Sequence, residues 1–453
     1  MFNRLITSSL TVGTRLRLLR IGAAASRFRR SDQTLRSLAI RLIRLPWLLG
    51  IFDQVLFGAA NFVTGVIVAH AVSQAEYGLF ALGTTIILLL MDVQAGLVST
   101  PQAIRTAGMD DDQANRFTGS TLVHQLLVSF LCAGAAGAVA LILFAFDIGL
   151  PGLASMLGAI AAFAVFTLLR EYVRRLCFIK GWLGRVVVMD GAITVVQIVA
   201  LLLMYHLDWA SATVAHVIIG VVCGCFALAT LASFRSAFTF SPHTLWPDFV
   251  DNFRIGGWLV VNNLLWTTGA YAYPWLLAIL HGTDATAIWA ACMSVISIMH
   301  IALAGILNVL TPNIAHAYAK GGAPGLRRYV FKSTFQYVGV ALTLGSVPIL
   351  FGETIVGLVY GPAYTGTSLI ILVLACNAVL GAVTGAVGRG LMVLGHAKAD
   401  FAVNVGTLVF VFTVGLWGAA TWGPLGAACS LTAANGLGAL LRLLAFNRIS
   451  QRA

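Results

Sequence analysis

Residues 121–145 read TLVHQLLVSFLCAGAAGAVALILFA and contain no Asp, Glu, Lys or Arg. A helix of about 20 apolar residues crosses the roughly 30 Å hydrocarbon core of a bilayer. The 453-residue chain repeats this pattern: 59% of its residues are hydrophobic and 10% are charged, where a soluble domain carries about 25% charged residues. The composition excludes a soluble globular protein and a disordered chain. It indicates a helical membrane protein, because a β-barrel shows short alternating segments instead.

The sequence predicts an all-α integral membrane fold, with twelve transmembrane helices in two pseudo-symmetric six-helix bundles around a central cavity. The predicted spans are 48–70, 79–104, 121–145, 153–177, 186–205, 212–234, 255–280, 286–311, 331–352, 366–388, 399–417 and 424–446. The predicted organisation is an Arg-rich cytoplasmic amphipathic arm (1–45), a first bundle (46–235), a cytoplasmic linker (236–252), a second bundle (253–447) and a cytoplasmic tail (448–453).

The basic residues alternate with the predicted spans. All 28 Lys and Arg residues lie in the arm, in every second connector or in the tail, and the six other connectors hold none. Positive charge is retained on the cytoplasmic side of membranes, so both termini are predicted to be cytoplasmic. The net charge of +12 therefore reports orientation, and we predict no nucleic-acid partner. The arm resembles both an organellar transit peptide and a basic strip on anionic lipid, and we favour the second interpretation.

A weak internal repeat supports two halves of equal orientation. The second span ends at Thr100-Pro101 and the eighth at Thr311-Pro312, and each follows a short acidic turn, containing Glu76 or Asp284. A parallel repeat would place these features at equivalent positions in the two halves. The alternative is that two helices end at proline independently.

Polar side chains at membrane depth are the candidate functional residues, because a charge at a helix centre costs about 2.5–3.5 kcal/mol and usually faces protein or water. Asp92, followed by Gln94, lies near the middle of the second span, and His300 near the middle of the eighth. Counted back from Pro101 and Pro312, Asp92 and His300 differ by nearly one helical turn, which gives them similar faces. They are predicted to line a substrate or ion pathway; the alternative is helix–helix hydrogen bonding.

Three asparagines lie on symmetry-related helices, Asn61 in the first span and Asn262 and Asn263 in the seventh. We add them to the predicted pathway, although they could simply join helices. Arg105, Arg170, Arg254 and Arg389 lie near cytoplasmic helix ends. They are predicted to form a basic mouth that attracts an anionic headgroup, the alternative being interfacial anchoring or local salt bridges.

No sequence motif indicates catalysis or a bound cofactor. The seven cysteines lie in or beside apolar segments without metal-ligand spacing, and no Gly-rich loop ends in the Lys-Ser/Thr of a phosphate-binding loop. Catalytic serine, zinc and paired-carboxylate patterns are absent from the sequence. We therefore predict a protein that is not an enzyme and has neither metal nor cofactor.

Several segments resemble one family of membrane proteins. They are Phe52-Asp53-Gln54, Asn61-Phe62, 74–82 and 92–97 running to Arg105 in the first half, and Gly257-Trp258, Asn263, Leu310-Thr311-Pro312 and Gly321-Gly322 in the second. These segments resemble polysaccharide-biosynthesis flippases of the multidrug/oligosaccharidyl-lipid/polysaccharide (MOP) exporter superfamily.

The resemblance implies a flippase that moves a polyprenyl-pyrophosphate-linked oligosaccharide across the bacterial inner membrane for O-antigen or exopolysaccharide synthesis, by alternating access. It also implies membrane lipid, and a polysaccharide polymerase and export machinery, as partners. Cavities in this family tend to be cationic, but no Lys or Arg lies deep in a span here. That departure shifts the expected anion contacts to the basic mouth.

Two alternatives remain. An ion-coupled exporter of cationic drugs belongs to the same superfamily and would suit Asp92 as a lone buried acid. An integral membrane polysaccharide polymerase or ligase is a different class, and such enzymes carry a long periplasmic loop with basic residues. The predicted outer connectors are short and contain no Lys or Arg.

Deleting residues 1–40 should leave the membrane orientation unchanged, because the later connectors repeat the same charge bias. Reporter fusions to successive connectors measure this orientation. An inverted reporter pattern in the deletion variant would contradict the prediction.

Overall fold

The computed structural model describes residues 46–452, and within this range the chain is helical with no β-strand. The predicted arm, 1–45, lies outside the described residues. Numbered in chain order, the helices are α1 (Pro46–Ala71), α2 (Gln74–Thr106), α3 (Asp111–Ala145), α4 (Leu153–Ile179), α5 (Leu183–His206), α6 (Ala212–Ala232), α7 (Pro242–His281), α8 (283–321), α9 (323–360), α10 (Ser368–Val393), α11 (397–422) and α12 (424–452). We call α1–α6 the first lobe and α7–α12 the second lobe.

Two glycines divide long helical runs into separate helices. The run Thr283–Tyr360 breaks at Gly322, where φ is 57° and ψ is −155°. The run from Ala397 to Arg452 breaks at Gly423, where φ is 55° and ψ is −136°. Glycine adopts this backbone conformation readily, whereas other residues are strained in it.

Nine helical runs among the described residues are long and apolar enough to cross a membrane. Two of them contain the glycine breaks and therefore supply two helices each. α7 holds the predicted seventh span but is not among the nine, and it carries Asn262, Asn263 and Thr267 at membrane depth. The order of helices agrees with the predicted order of spans.

Several helices extend beyond the predicted spans. α3 begins at Asp111 because the side chain of Asp110 accepts a hydrogen bond from the Gln113 amide at 2.8 Å, which satisfies a free donor at the helix start. α7 begins at Pro242, so much of the predicted linker 236–252 is helical. α12 continues to Arg452 through most of the predicted tail.

Successive connectors lie at alternate ends of the helix bundle. We call the end with the Lys- and Arg-bearing connectors the basic end, and the other, which carries Glu76, Asp284 and Glu353, the acidic end. Residues from Gln54 onward form one compact unit, so the two lobes are packed together.

The buried apolar side chains form two clusters. The larger cluster joins both lobes and takes its first-lobe members from near the acidic end, such as Tyr77, Met156 and Leu201. The smaller cluster contains only first-lobe residues nearer the basic end, such as Tyr172 and Val186. The described residues therefore share an apolar core across the lobes toward the acidic end, whereas the first lobe has a core of its own toward the basic end.

Each lobe also holds a buried ion pair near the basic end. In the first lobe, Arg170 and Arg174 of α4 bind opposite oxygens of Asp190 of α5, at 2.7 Å and 3.0 Å. In the second lobe, Arg442 of α12 donates to Asp400 of α11 at 2.6 Å. A buried ion pair fixes the register of two helices, because either charge left alone would be unpaired in a medium of low dielectric constant.

Asp190→Ala should destabilise the protein by about 3–5 kcal/mol, because it removes the nearest carboxylate of two buried guanidinium groups and leaves them only the longer contacts with Glu171, at 3.7 Å and 3.9 Å. Unfolding of the purified protein in detergent measures the loss. Arg175→Gln is the control: Arg175 belongs to the same helix and binds Glu171 at 2.7 Å, but its side chain is 43% exposed, so its loss should cost less. Equal stability of the Asp190→Ala and Arg175→Gln variants would contradict the prediction.

Candidate functional site at the junction of the lobes

α7 lies between α2 of the first lobe and α11 of its own lobe. Toward α11, the ring of Trp258 lies 4.7 Å from that of Phe401, and His281 Nε2 lies 2.7 Å from the Ala419 carbonyl oxygen. Toward α2, Trp275 donates to the Thr85 hydroxyl at 3.0 Å. α7 therefore contacts the first lobe along much of its length.

Asp92 lies at this junction. The Thr267 hydroxyl of α7 donates a hydrogen bond to Asp92 Oδ2 of α2, and Tyr271, one turn further along α7, is close enough to interact electrostatically with the same carboxylate. Among the described residues, no Lys, Arg or His forms an ion pair with Asp92. The site therefore consists of a half-buried carboxylate and a hydroxyl group contributed by opposite lobes.

The backbone of α2 changes directly after this site. Residues Ala95–Ser99 form a π-helical turn, a local widening that occurs frequently at functional sites. Gly96 in this turn meets Val260 and Gly256 of α7, and a Cβ atom at Gly96 or Gly256 would overlap the other helix. The two helices thus cross closely enough to require glycine on both sides.

Three tyrosines join the lobes at the acidic end. Tyr77 of α2 lies 5.8 Å from Tyr360 and 6.3 Å from Tyr364, measured between ring centroids. Tyr360 also donates to the Ser294 hydroxyl at 2.7 Å. All three rings are buried, and burial raises the pKa of Tyr364, in the connector after α9, to about 12. We call Tyr77, Tyr360 and Tyr364 the tyrosine cluster; their rings stay neutral and close the acidic end.

Contacts across the lobes at the basic end are more polar. Arg105 of α2 donates to Asp248 at 2.8 Å and to Asn252 at 2.9 Å, both at the start of α7. His124 of α3 lies 2.9 Å from the Leu245 carbonyl oxygen. Thus the first turns of α7, beyond the predicted span, are held on the first lobe.

The predicted pathway residues do not lie together in the structure, and Gln94 is directed away from the junction of the lobes. Gln94 is fully buried and donates to Gln125 at 2.9 Å and to Ser99 at 2.8 Å, on the side of α2 away from α7. The Gln94 amide nitrogen is bound within the first lobe, although its buried Oε1 atom has no partner among the described residues, and we do not retain Gln94 in the pathway.

The other predicted residues have few partners. Asn262 is half-buried and accepts from Asn404 of α11 at 3.4 Å. Asn263 is half-buried, while Asn61 and His300 are exposed; none of these three has a hydrogen bond within the described range. No hydrogen bond joins any two of the six predicted pathway residues in this part of the chain.

The four predicted mouth residues fall into two groups. Arg105 and Arg170 are bound to acidic side chains, Asp248 and Asp190, at 2.8 Å and 2.7 Å. Arg254 is exposed, and no hydrogen bond or ion pair of its side chain occurs among the described residues. Arg389 is half-buried, contacts Met392 Sδ at 3.7 Å, and has an Nε atom without a partner. Of these four arginines, Arg254 and Arg389 are therefore the two without an acidic partner among the described residues.

Sequence reasoning missed the partners of Asp92. Thr267 and Thr268 are adjacent hydroxyl residues in the apolar part of α7, and this was the signal that could have singled them out. The tyrosine cluster carried no such signal, because Tyr77 is far in sequence from Tyr360 and Tyr364 and tyrosine is common at membrane boundaries.

Comparisons with solved structures identify the fold. An inward-facing multidrug resistance MATE family transporter of the MOP superfamily matches with a TM-score of 0.71 at 16% identity, over 88% of this chain and 95% of that one. The lipid II flippase MurJ in an inward closed conformation matches with a TM-score of 0.68 at 12% identity, over 90% of each chain. A MOP superfamily transporter from Pyrococcus furiosus gives 0.65 at 14% identity, over 90% of this chain and 94% of that one.

No protein-family model and no curated protein sequence matches the chain. The structural neighbours are transporters and flippases. The predicted fold class, an all-helical membrane protein with twelve helices in two lobes, is confirmed. The chain is a multi-pass membrane protein with the fold of MOP superfamily transporters.

Gly78→Val should loosen the acidic end, because a Cβ atom at Gly78 would overlap the Thr283 carbonyl group of the other lobe. Cys292 is fully buried beside this junction, so its reaction with a water-soluble maleimide should accelerate in a protein whose other six cysteines are replaced by alanine. Gly134→Val in α3 is the control, since nothing lies near a Cβ atom there. Unchanged labelling in Gly78→Val would show that this contact does not close the junction.

Proposed function

We propose that this protein is a flippase that moves a polyprenyl-pyrophosphate-linked oligosaccharide across the bacterial inner membrane by alternating access, for surface or exopolysaccharide synthesis. The observation that carries the proposal is Asp92, a half-buried carboxylate at the lobe junction whose partner hydroxyl, Thr267, belongs to the opposite lobe. The lipid II flippase MurJ, which shares the fold, supports a lipid-linked substrate.

The distribution of contacts supports the direction of opening. Toward the acidic end the lobes share an apolar core and the tyrosine cluster. At the basic end the contact between lobes includes the exchangeable ion pair of Arg105 with Asp248. Polar contacts can be replaced by water at lower cost than an apolar core can be exposed. The basic end is therefore the end at which a hydrophilic head group first enters.

A polar junction inside an apolar protein also suits the transport of a lipid-linked oligosaccharide. An oligosaccharide must cross among polar groups while its polyprenyl chain remains in hydrocarbon. Polar side chains along α1, α7 and α8, namely Asn61, Asn262, Asn263 and His300, are the proposed lining together with Asp92. Moving this substrate across the membrane requires no covalent step, so the proposed function is that of a transporter that is not an enzyme and uses no cofactor.

Two arginines are proposed to receive the anionic part of the substrate. Arg254 and Arg389 lack an acidic partner among the described residues, and both lie toward the basic end. A free cation attracts a pyrophosphate more strongly than one already neutralised by a carboxylate. Arg105 and Arg170 are given structural roles instead, because each is bound to an aspartate.

The proposed orientation places the basic end and both termini in the cytoplasm, following the charge bias of the connectors. The polymerase and export machinery that lengthen and secrete the sugar are the proposed functional partners on the opposite side. Membrane lipid is the remaining partner.

A second candidate function is the ion-coupled export of cationic drugs. Asp92 has no cationic partner among the described residues, and a lone carboxylate at membrane depth is suited to binding a cation. A MATE family multidrug transporter shares the fold. Drug resistance in a transporter-deficient host would favour this function, whereas restored surface polysaccharide in a flippase-deficient host would favour the first.

Asp92→Asn should reduce polysaccharide export at least tenfold in a complementation assay, because the amide keeps a hydrogen bond to Thr267 but removes the charge. Export is measured as surface polysaccharide per cell, normalised to the amount of protein in the membrane. Gln94→Glu is not a suitable comparison, since it would bury a new charge in the first lobe.

Thr267→Val is the matched variant, because it removes only the hydroxyl group that binds Asp92 and keeps the side-chain shape. Ser297→Ala in α8 is the control, since its hydroxyl binds only a carbonyl oxygen of its own helix. Wild-type export by both Asp92→Asn and Thr267→Val would remove this junction from the transport pathway.

A further inference from the structure

The first turns of α3 and two connectors of the first lobe, after α4 and after α6, meet at its basic end. Lys180, after α4, donates to Asn115 Oδ1 of α3 at 3.1 Å. The ring of Trp182 lies 4.6 Å from that of Phe234, after α6. The Thr239 amide donates to the Asn115 carbonyl oxygen at 3.2 Å. Residues distant in sequence are thereby held in one surface.

This surface carries four basic residues, and the exposed acidic residues Asp110, Asp111 and Asp112 lie one to two turns before Arg116 at the start of α3. Arg116, Lys180, Arg185 and Arg235 lie on the three connected segments, and the three arginines are exposed. We call these four residues the first-lobe basic patch. None of the four forms an ion pair with any described residue; Arg116 Nε donates only to the Asp112 carbonyl oxygen, at 3.5 Å.

Aromatic rings hold one guanidinium group in place. Arg185 Cζ lies 5.0 Å from the Trp182 ring and 4.7 Å from the Phe234 ring. Cation–π contacts of this kind orient a guanidinium group without consuming its N–H donors. The donors of Arg185 consequently remain available for an anion, and its position is fixed before the anion arrives.

The position of the patch selects the anion. Its members adjoin the ends of α3, α4, α5 and α6, where apolar helix meets polar connector. Trp182 is of the residue type that is enriched at the level of lipid headgroups. Clusters of Lys and Arg immediately beside membrane-spanning helices attract anionic lipids. A lipid phosphate can therefore reach these donors while its acyl chains stay beside the helices.

We propose that the first-lobe basic patch binds anionic lipid headgroups of the adjacent leaflet, with Arg185 as the positioned phosphate ligand and Arg116, Lys180 and Arg235 as surrounding charges. This inference does not depend on the transported substrate, since the patch is made by first-lobe residues only. Bound lipid would join these segments and hold the first lobe at the membrane surface while the second lobe moves.

The full chain, delipidated in neutral detergent, is titrated with phosphatidylglycerol or phosphatidylcholine and examined by native mass spectrometry. Arg185→Gln/Arg235→Gln should weaken phosphatidylglycerol binding about tenfold and leave phosphatidylcholine binding unchanged. Arg328→Gln/Lys332→Gln is the matched control, because it removes two exposed cations from α9 in the second lobe. This control should bind phosphatidylglycerol as the unmodified protein does.

Equal losses in both double variants would overturn the proposal, since binding would then follow net charge alone. Undiminished binding by Arg185→Gln/Arg235→Gln would overturn it as well. Displacement of the lipid by millimolar inorganic phosphate would also do so, by showing a site for free phosphate. If Arg185→Gln/Arg235→Gln is not monodisperse, Arg116→Gln/Arg235→Gln keeps the aromatic stack of Arg185 and should still lower the affinity severalfold.

Discussion

The close approach of α2 and α7 is the contact on which the two-lobe structure depends. It runs from Thr85 and Trp275 near the acidic end, through the crossing of Gly96 with Gly256, to Arg105 and Asp248 at the basic end. The character of the contact changes along this line from aromatic and apolar to ionic. A helix pair with such a gradient can separate at its ionic end while its apolar end stays closed, which is the requirement of alternating access.

The two lobes repeat one polar connection. Gln197 of α5 donates to Thr64 of α1 at 2.7 Å, and Asn404 of α11 donates to Asn262 of α7 at 3.4 Å. In each lobe, therefore, the first helix is tied to the fifth by a side-chain amide. Asp92 and His300 likewise each follow an acidic-end carboxylate, Glu76 or Asp284, by the same number of residues. The two residues therefore occupy equivalent positions but make different contacts. Asp92 binds the opposite lobe, whereas His300 has no hydrogen-bond partner within the described residues.

The length of the apolar segments and the alternation of basic connectors predicted the number and order of helices, because both reflect the bilayer itself and need no knowledge of neighbouring helices. The candidate site was harder to predict from the sequence. Asp92 was found because a carboxylate at membrane depth is costly wherever it points, but Gln94 was grouped with it although a two-residue step on a helix turns the side chain to the opposite side. Arg105 and Arg170 were predicted to belong to a basic mouth, with local salt bridges as the alternative, and the sequence could not decide between the two because their aspartate partners, Asp248 and Asp190, lie on other helices.

The division of the apolar core also bears on how the chain is assembled during synthesis. The cluster confined to the first lobe draws on α2–α6 and their basic-end connector, so it can consolidate before α7 has left the ribosome. The cluster shared by both lobes needs helices from the entire chain, up to Leu431 and Ala434 in the acidic-end half of α12. Biogenesis thus has a defined order, in which one end of the bundle is built early and the opposite end is sealed only when translation is complete.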